Sequence, residues 1–388
     1  MVPSSPIPTD TLPTAVAVVH EWLVNRAGSE KVVEKMLAVC PQADIFSLVE
    51  FLDPEAAVMI PPGKRVQTSF IQKLPWARQH FRQYLPLMPL AVEQFDLSAY
   101  DLVISSNHAV AKGVLTRPHQ LHISYVYTPI RYAWDLQHQY LEQAGLTQGA
   151  KSAITRLILH YIRLWDLAAA HRVDCFVADS HYIARRIWKT YRRPATVIYP
   201  PVAIDRFRWN QPREDFYLTV SRCVPYKRVD LTVEAFNRLG LPLVVMGDGP
   251  ALAALQRAAK ANITFIRNPS DAMVSDYMAR CRGFIFPAEE DFGITVVEAQ
   301  AAGAPVIAYG RGGCAETVQP GKTGILFGRQ TVDDLVQAVE HFDSQRSLFV
   351  PETIRQWAET FSEPRFCQEL TAYLSQKWLK FQQGDELE

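Results

Sequence analysis

Several absences narrow the reading of this 388-residue chain before any motif is considered. There is no charge imbalance: forty basic residues offset forty acidic ones, so bulk electrostatics gives no argument for a nucleic-acid partner. Cysteines are few, and the six (Cys40, Cys175, Cys223, Cys281, Cys314, Cys367) show no Cys-x-x-Cys spacing. That argues against a disulfide framework or a zinc site and for buried free thiols. No apolar run reaches membrane-spanning length, since the stretch 84–92 is short and broken by proline. The first residues, Met1-Val-Pro-Ser-Ser-Pro, lack a basic start followed by an apolar region, so no secretory signal is read there and 1–14 is expected to be a disordered lead-in. There is no Gly-x-Gly-x-x-Gly, which disfavours a nicotinamide-type site. Gly321-Lys322-Thr323 fails as a phosphate loop because Glu316 stands where glycine is required.

What is present is alternation. Strand-like runs at 16–20, 44–49, 102–105, 123–127, 175–178 and 197–199 are separated by helix-like stretches, one from about Ser29 and one over 153–170. In the latter, Leu157, Ile158, Tyr161, Ile162 and Trp165 are read as the core-facing set. An irregular polar stretch, 205–213, reads as a linker. A second series follows at 216–221, 243–247, 263–266, 283–286 and 306–308, and a helix is expected over 366–381. The fold class is therefore α/β, with two Rossmann-like, doubly wound parallel-sheet domains, 15–203 and 204–365, and a C-terminal segment 366–388. Ligands of such sheets bind in the crevice at the strand C-terminal ends.

The densest signal is Glu290-Asp-Phe-Gly-Ile-Thr-Val-Val-Glu298, continued by Ala-Gln-Ala-Ala-Gly303. An apolar strand precedes it and a helix begins after Gly293. A strand, an acidic loop and a helix N-terminus in so short a span offer free amides and a dipole end suited to a diphosphate. Carboxylates would repel that diphosphate, so Glu290 and Glu298 suit neutral hydroxyls such as those of sugars. At the end of the 216–221 run, Arg222 and Lys227 lie five apart across a proline turn. Arg222 could engage a diphosphate with two hydrogen bonds and Lys227 as a point charge. Gly28-Ser29-Glu30 opens the first helix, where glycine permits close ligand approach and Ser29 serves equally as a plain cap.

Glu290-x7-Glu298 with Phe292, Gly293 and the trailing Ala-Gln-Ala-Ala-Gly resembles the signature of the family 4 retaining glycosyltransferases, which have the GT-B fold. The resemblance runs through Arg222 and Lys227, through Tyr127-Thr-Pro-Ile-Arg131-Tyr-Ala-Trp134-Asp135, and through the segments around Ser180 and 197–207. These last resemble a branch that transfers mannose from GDP-mannose in polysaccharide assembly. It implies a central cleft between the domains, the last helix crossing back to the first, and a metal-independent, retaining hexosyltransferase without cofactor.

In the site it implies, Glu290, Arg222, Lys227 and Tyr127 are catalytic. The donor is held by Gly28, Arg222, Lys227, Ile266, Arg267, Glu290, Phe292, Gly293, Ile294, Thr295 and Glu298. Ser29, Arg131 and Ser180 lie on the acceptor side, Ser180 being equally a helix cap. Tyr127 stands where the family has histidine, and it can hydrogen-bond but not act as a cation or base near neutral pH. His108 and His122, nearby in sequence, read as structural. The expected partners are a nucleotide-sugar donor and a glycan or lipid-linked acceptor, in the cytoplasm or at the inner face of the membrane. The basic-aromatic stretches 73–82 and 185–193 suit either contact with anionic lipid or ordinary burial of their rings. A sugar-nucleotide epimerase and a non-catalytic sugar-nucleotide binder are the alternatives.

Overall fold

Short runs of β-branched and aromatic residues become thirteen strands among the described residues of a computed structural model, which describes residues 12–387. The chain divides into two compact units. One comprises the residues through Tyr199 together with those from Phe366 on, and the other is Pro200–Arg365.

The first unit holds a seven-stranded sheet in the order β3-β2-β1-β4-β5-β6-β7. The strands are β1 Val16–Leu23, β2 Asp44–Glu50, β3 Val66–Thr68, β4 Leu102–Asn107, β5 Leu121–Val126, β6 Cys175–Ala178 and β7 Thr196–Val197. Every pairing is parallel. The strands β1, β4, β5 and β6 are buried almost throughout, as a sheet covered by helices on both faces requires. On one face the helix Gly28–Val39 contributes Val32, Val33, Met36 and Leu37 to the core, and the final helix, Glu363–Gln383, contributes Phe366, Leu370, Tyr373, Leu374 and Trp378.

The second unit has six strands in the order β10-β9-β8-β11-β12-β13, again all parallel. They are β8 Tyr217–Val220, β9 Leu243–Met246, β10 Ile263–Ile266, β11 Gly283–Phe286, β12 Val306–Tyr309 and β13 Gly324–Phe327. Both sheets are doubly wound and reverse direction once, between β1 and β4 in the first unit and between β8 and β11 in the second.

Four expectations change. The strands β3 and β13 were not foreseen: β3 is a half-exposed edge of three residues, and β13 opens on Gly324, whose missing Cβ lets it lie against the Val306 backbone. The stretch read as a linker is fastened within the second unit, where Arg355 donates to the carbonyls of Ile204, Phe207 and Ala301, and Arg213 to those of Met278 and Ala302. Most of the expected lead-in lies outside the described residues, but at its end Pro13 is buried and Leu12 packs on the core.

The fourth change concerns the helix Gly149–Ala170, whose inner face is rotated from the expected one: Ile162 is buried and Ile158 and Trp165 pack partly against the core, but two of the five expected residues face out. It buries Ser152, Leu159, Ile162, Asp166, Ala169 and Ala170, while Leu157 and Tyr161 are exposed. A buried ion pair sets this phase. Lys112, fully buried, meets Asp166, which also accepts from Trp134 Nε1 at 2.7 Å and Tyr191 Oη at 2.9 Å. A charge with no solvent must be paired, so Asp166 and not the larger apolar side chains fixes the inner face.

Candidate active site

The second unit gathers its candidate residues at the sheet's switch point. Arg222 and Lys227 follow β8, and the 290–293 loop follows β11, the strand beside it. Lys227 Nζ forms an ion pair with Glu290 Oε1, both side chains being largely buried. The same ammonium lies 5.9 Å from the Phe286 ring, in the last residue of β11. Arg222 is exposed and donates to Tyr226 Oη at 2.5 Å.

The loop is shaped by glycine. Gly293 has φ +83 and caps the helix Ile294–Ala301, which buries Val296, Val297, Ala299, Gln300 and Ala301. Ile294, Thr295 and Glu298 form its half-buried side. The first-turn amides of such a helix have no intrahelical acceptor. Glu290 is held by backbone: Gly313 N donates to its carbonyl at 2.8 Å, and Gly312 bridges it. A Cβ on Gly312 would collide with the Glu290 carbonyl, and one on Gly313 with the Phe292 backbone.

Gly247 and Gly249, at φ +140 and +151, play the same part behind Arg222. Their missing Cβ atoms let the 247–249 turn lie against the Ser221 and Cys223 carbonyls, and Cys223 N donates to Asp248 O at 2.8 Å. That turn is therefore a structural support. Ile266 ends β10 and Arg267 follows it, with Ile266 O accepting from Gly247 N at 3.0 Å and Arg267 pairing with Asp248 at 2.9 Å. All the second-unit candidates thus lie at or just beyond the C-terminal ends of three strands, β10, β8 and β11. Among the described residues no cluster of three or more His, Cys, Asp or Glu is placed to hold a metal ion.

The first unit builds a second polar cluster at its own switch point. Tyr127, just past β5, donates to Ser29 O at 3.1 Å and shares a 2.8 Å hydrogen bond with Ser106 Oγ. Ser106 Oγ in turn lies 3.0 Å from His20 Nδ1. Burial raises the Tyr127 phenol well above its ordinary range, so it stays neutral. Its single proton has two acceptors within reach, Ser29 O and Ser106 Oγ. Ser29 does not cap its helix. Ala27 holds that position, the Glu30 carboxylate accepts from Ala27 N at 3.2 Å, and Ser29 Oγ donates to Glu30 at 3.0 Å. Gly28 is the first residue of that helix.

Ser180 is buried, accepts from Ile183 N at 3.1 Å and caps the helix His181–Tyr191. Arg131 is half-buried in the turn after β5, where its carbonyl accepts from Leu136 N at 3.0 Å. That turn is tied down by Trp134 to Asp166 and by a 2.6 Å pair between Asp135 and Arg186.

Sequence reasoning missed the acid at the centre of this cluster. Glu21 is fully buried in β1, and its Oε1 accepts from the amides of His108, Ala109 and Ala111 at 2.9, 2.8 and 3.1 Å. Its other oxygen lies 2.9 Å from His108 Nδ1. Burial alone would raise the Glu21 carboxyl, but His108, His20 and the Ala109 amide together hold it at about 2. Burial alone would lower His108, but the neighbouring carboxylate outweighs it and raises the imidazole above its ordinary value. The available signal was a charged residue inside an otherwise apolar strand, Val-Val-His-Glu-Trp-Leu. His122 is different: fully buried, lowered by burial to about 4 and hydrogen-bonded to Ser105 at 2.9 Å, it is a neutral structural group.

Comparison with known proteins adds an independent line. Residues 203–359 match the family model for glycosyl transferases group 1. An uncharacterized glycosyltransferase of Methanocaldococcus jannaschii is 29% identical over 171 residues, 43% of this chain and 48% of that protein. A GDP-mannose-dependent alpha-(1-6)-phosphatidylinositol monomannoside mannosyltransferase of Mycobacterium tuberculosis is 28% identical over 218 residues, 47% of this chain and 57% of that protein. The chain thus spans about half the length of these curated relatives. In fold the likeness covers far more: the crystal structure of Anabaena HepE in complex with UDP superposes with a TM-score of 0.68 over 93% of this chain and all of the other, at 16% identity. Residues 203–359, which contain every second-unit candidate, are thus similar to the group 1 glycosyl transferases, and the chain as a whole has the GT-B fold.

Proposed function

We propose that the chain is a retaining hexosyltransferase that takes a hexose from a nucleoside diphosphate sugar, GDP-mannose being the first donor to test, and passes it to a glycan or lipid-linked acceptor. The observation that carries the reading is the Lys227–Glu290 ion pair at the β8–β11 switch point, beside the N-terminus of the 294–301 helix. An arriving diphosphate would draw Lys227 off Glu290, since two phosphates offer the ammonium more negative charge than one carboxylate. Lys227, Arg222 and the amides of Ile294 and Thr295 would then bear the charge that develops as the sugar leaves. Glu290, freed of its partner, would accept hydrogen bonds from sugar hydroxyls, and Glu298, one turn into the helix, from the ribose.

Cationic side chains and a dipole end at one spot supply the charge neutralisation for which other transferases use a divalent ion, so the reaction is proposed to need no metal and no cofactor. Attack from the leaving-group face, with the donor phosphate taking the acceptor proton, gives retention without a dedicated base. The GDP-mannose donor is supported by the name of the Mycobacterium tuberculosis relative. A lipid-linked acceptor would have the enzyme work from the cytoplasmic side, at the inner face of the membrane.

A second reading has an observation in its favour. With a neutral Tyr127 standing where the family has histidine, the chain could bind a sugar nucleotide without turning it over. One experiment separates the two: calorimetry with GDP, UDP and ADP sugars, followed by turnover assays of Lys227→Ala and Glu290→Ala with the donor that binds. Transfer should fall by about 10²–10³ in each variant. Binding by the wild-type chain with no transfer to any glycan or lipid extract would favour the silent binder, and unchanged turnover in either variant would remove that residue's role.

A further inference from the structure

The helix Gly149–Ala170 presents an outer face that no element of the described residues covers. Ile154 and Leu164 are each 59% exposed, Leu157 69% and Tyr161 48%. Their spacing of three, four and three residues lines them along one side of a helix about 33 Å long. At 100° per residue, the arc from Leu167 round to Ile154 contains otherwise only Gly149, Ala150, Ala153, His160 and Ala168. No carboxylate, ammonium or guanidinium falls on it. A surface helix ordinarily places its charges there, so the face is built for contact with something apolar.

Charge selects the occupant. The helix has one acid, Asp166, and it is turned inward against Lys112. Its cations lie outside the apolar arc: Arg156 and Arg163, seven residues apart, run along one edge, where they also donate to Ser152 Oγ and to Ala133 O and Gln137, and Lys151 lies beyond the other edge. The adjacent helix His181–Tyr191, joined to it by the Tyr191–Asp166 hydrogen bond, adds Arg185, Lys189 and a 54% exposed Trp188 and contains no acid, its Arg186 being paired with Asp135. A second copy pairing antiparallel through this face would bring the Arg156–Arg163 edge against itself with no carboxylate to balance it. An anionic bilayer meets both demands: the apolar arc enters the headgroup–acyl boundary, the basic margins meet phosphate, and tyrosine and tryptophan sit at the interface.

We propose that the outer face of the Gly149–Ala170 helix is a docking surface for an anionic lipid bilayer, deepening the placement at the inner face of the membrane, on which it rests. The Arg185–Arg193 stretch, read from sequence as suiting either lipid or burial, divides its residues between the two: Ile187 and Tyr191 are buried and Trp188 is outside.

The test needs no sugar donor, so its failure is separate from failure of the transferase reading. The purified full chain is sedimented with phosphatidylcholine vesicles with and without phosphatidylglycerol. It should bind the anionic vesicles, more weakly as salt is raised, and bind the neutral ones poorly. Leu157→Glu with Leu164→Glu should lower anionic-vesicle partitioning by about tenfold or more while leaving the unfolding midpoint in place, because both side chains are exposed. Lys151→Glu with Lys189→Glu, which touches no apolar residue, should weaken binding and flatten its salt dependence. The proposal is overturned if the wild-type chain ignores anionic vesicles, or if both double variants bind as it does. It is equally overturned if the chain forms a concentration-dependent dimer that the leucine variant abolishes without any loss of lipid binding.

Discussion

Glu21 and His108 show how a single buried carboxylate reorganises its surroundings. Three amides and an imidazole converge on it, so the loop after β4 is held to the end of β1 by one side chain. The two shifts give a pH window. Glu21 is held at about 2 against an ordinary 4.5, so its contribution to stability is present above 4.5 and fades as pH falls toward 2. His108 is raised, so its contribution is complete below the ordinary histidine value and fades as pH rises through the folded one. Stabilisation from the pair should therefore be greatest in mildly acidic solution. Thermal unfolding of the wild-type chain should show its midpoint dropping from pH 6 toward pH 8 by more than that of His108→Asn, which lacks the titrating partner. Parallel profiles for the two proteins would show that the pair is not linked to folding. The same two residues explain why this cluster was hard to read in the sequence. An acid in a strand looks like a surface position until the fold turns it toward three amides, and its partner lies eighty-seven positions away.

At the scale of elements, glycine decides the geometry that acidic and basic residues exploit. Gly312 and Gly321 both have positive φ, +74 and +76, but only Gly312 has backbone in the space a Cβ would take, namely Glu290. Gly312→Ala and Gly321→Ala should thus share a destabilisation of about 1–2 kcal/mol from the left-handed backbone. Turnover should separate them: Gly312→Ala displaces Glu290 and loses activity, whereas Gly321→Ala keeps it. Equal activity in the two variants would mean that the position of Glu290 is not critical.

The legibility of elements follows the same division between local and distant causes. The 290–298 segment was readable because strand, turn glycine and helix are adjacent in sequence, and the structure forms them there as β11, Gly293 and the 294–301 helix. The Gly149–Ala170 helix was legible as a helix but not in its phase. Its apolar residues occupy two faces, and the choice between them is made by Lys112, far away in the chain. The alternative reading of Ser29 as a plain cap fails for a related reason: the helix starts one residue earlier than its serine suggests, with Glu30 reaching back to Ala27.

At the scale of the whole molecule, each unit is a doubly wound parallel sheet, and each places its polar cluster where the strand order reverses. In the second unit Lys227 and Glu290 extend from β8 and β11. In the first, Glu21 lies at the end of β1 and His108 just beyond β4. The βα alternation alone made the strand ends legible as the ligand side of each sheet, but not the strand order or the Glu21 cluster. The proposed function puts the nucleotide on the second unit, at the first-turn amides of the 294–301 helix beside the Lys227–Glu290 pair. Hydrogen exchange can test that assignment without knowing the acceptor. Free nucleoside diphosphate at about a hundredfold its Kd should stabilise the bound form by about 2.7 kcal/mol. The added protection should concentrate in the 222–227 and 290–298 segments, whose amides the phosphates and the relocated Lys227 would order. A diphosphate carrying its sugar should extend the protection by engaging the Glu290 carboxylate, and Glu290→Gln should lose only that extra part. Protection confined to the first unit, with 222–227 and 290–298 exchanging as before, would place the nucleotide on the other sheet and reverse the roles of the two clusters.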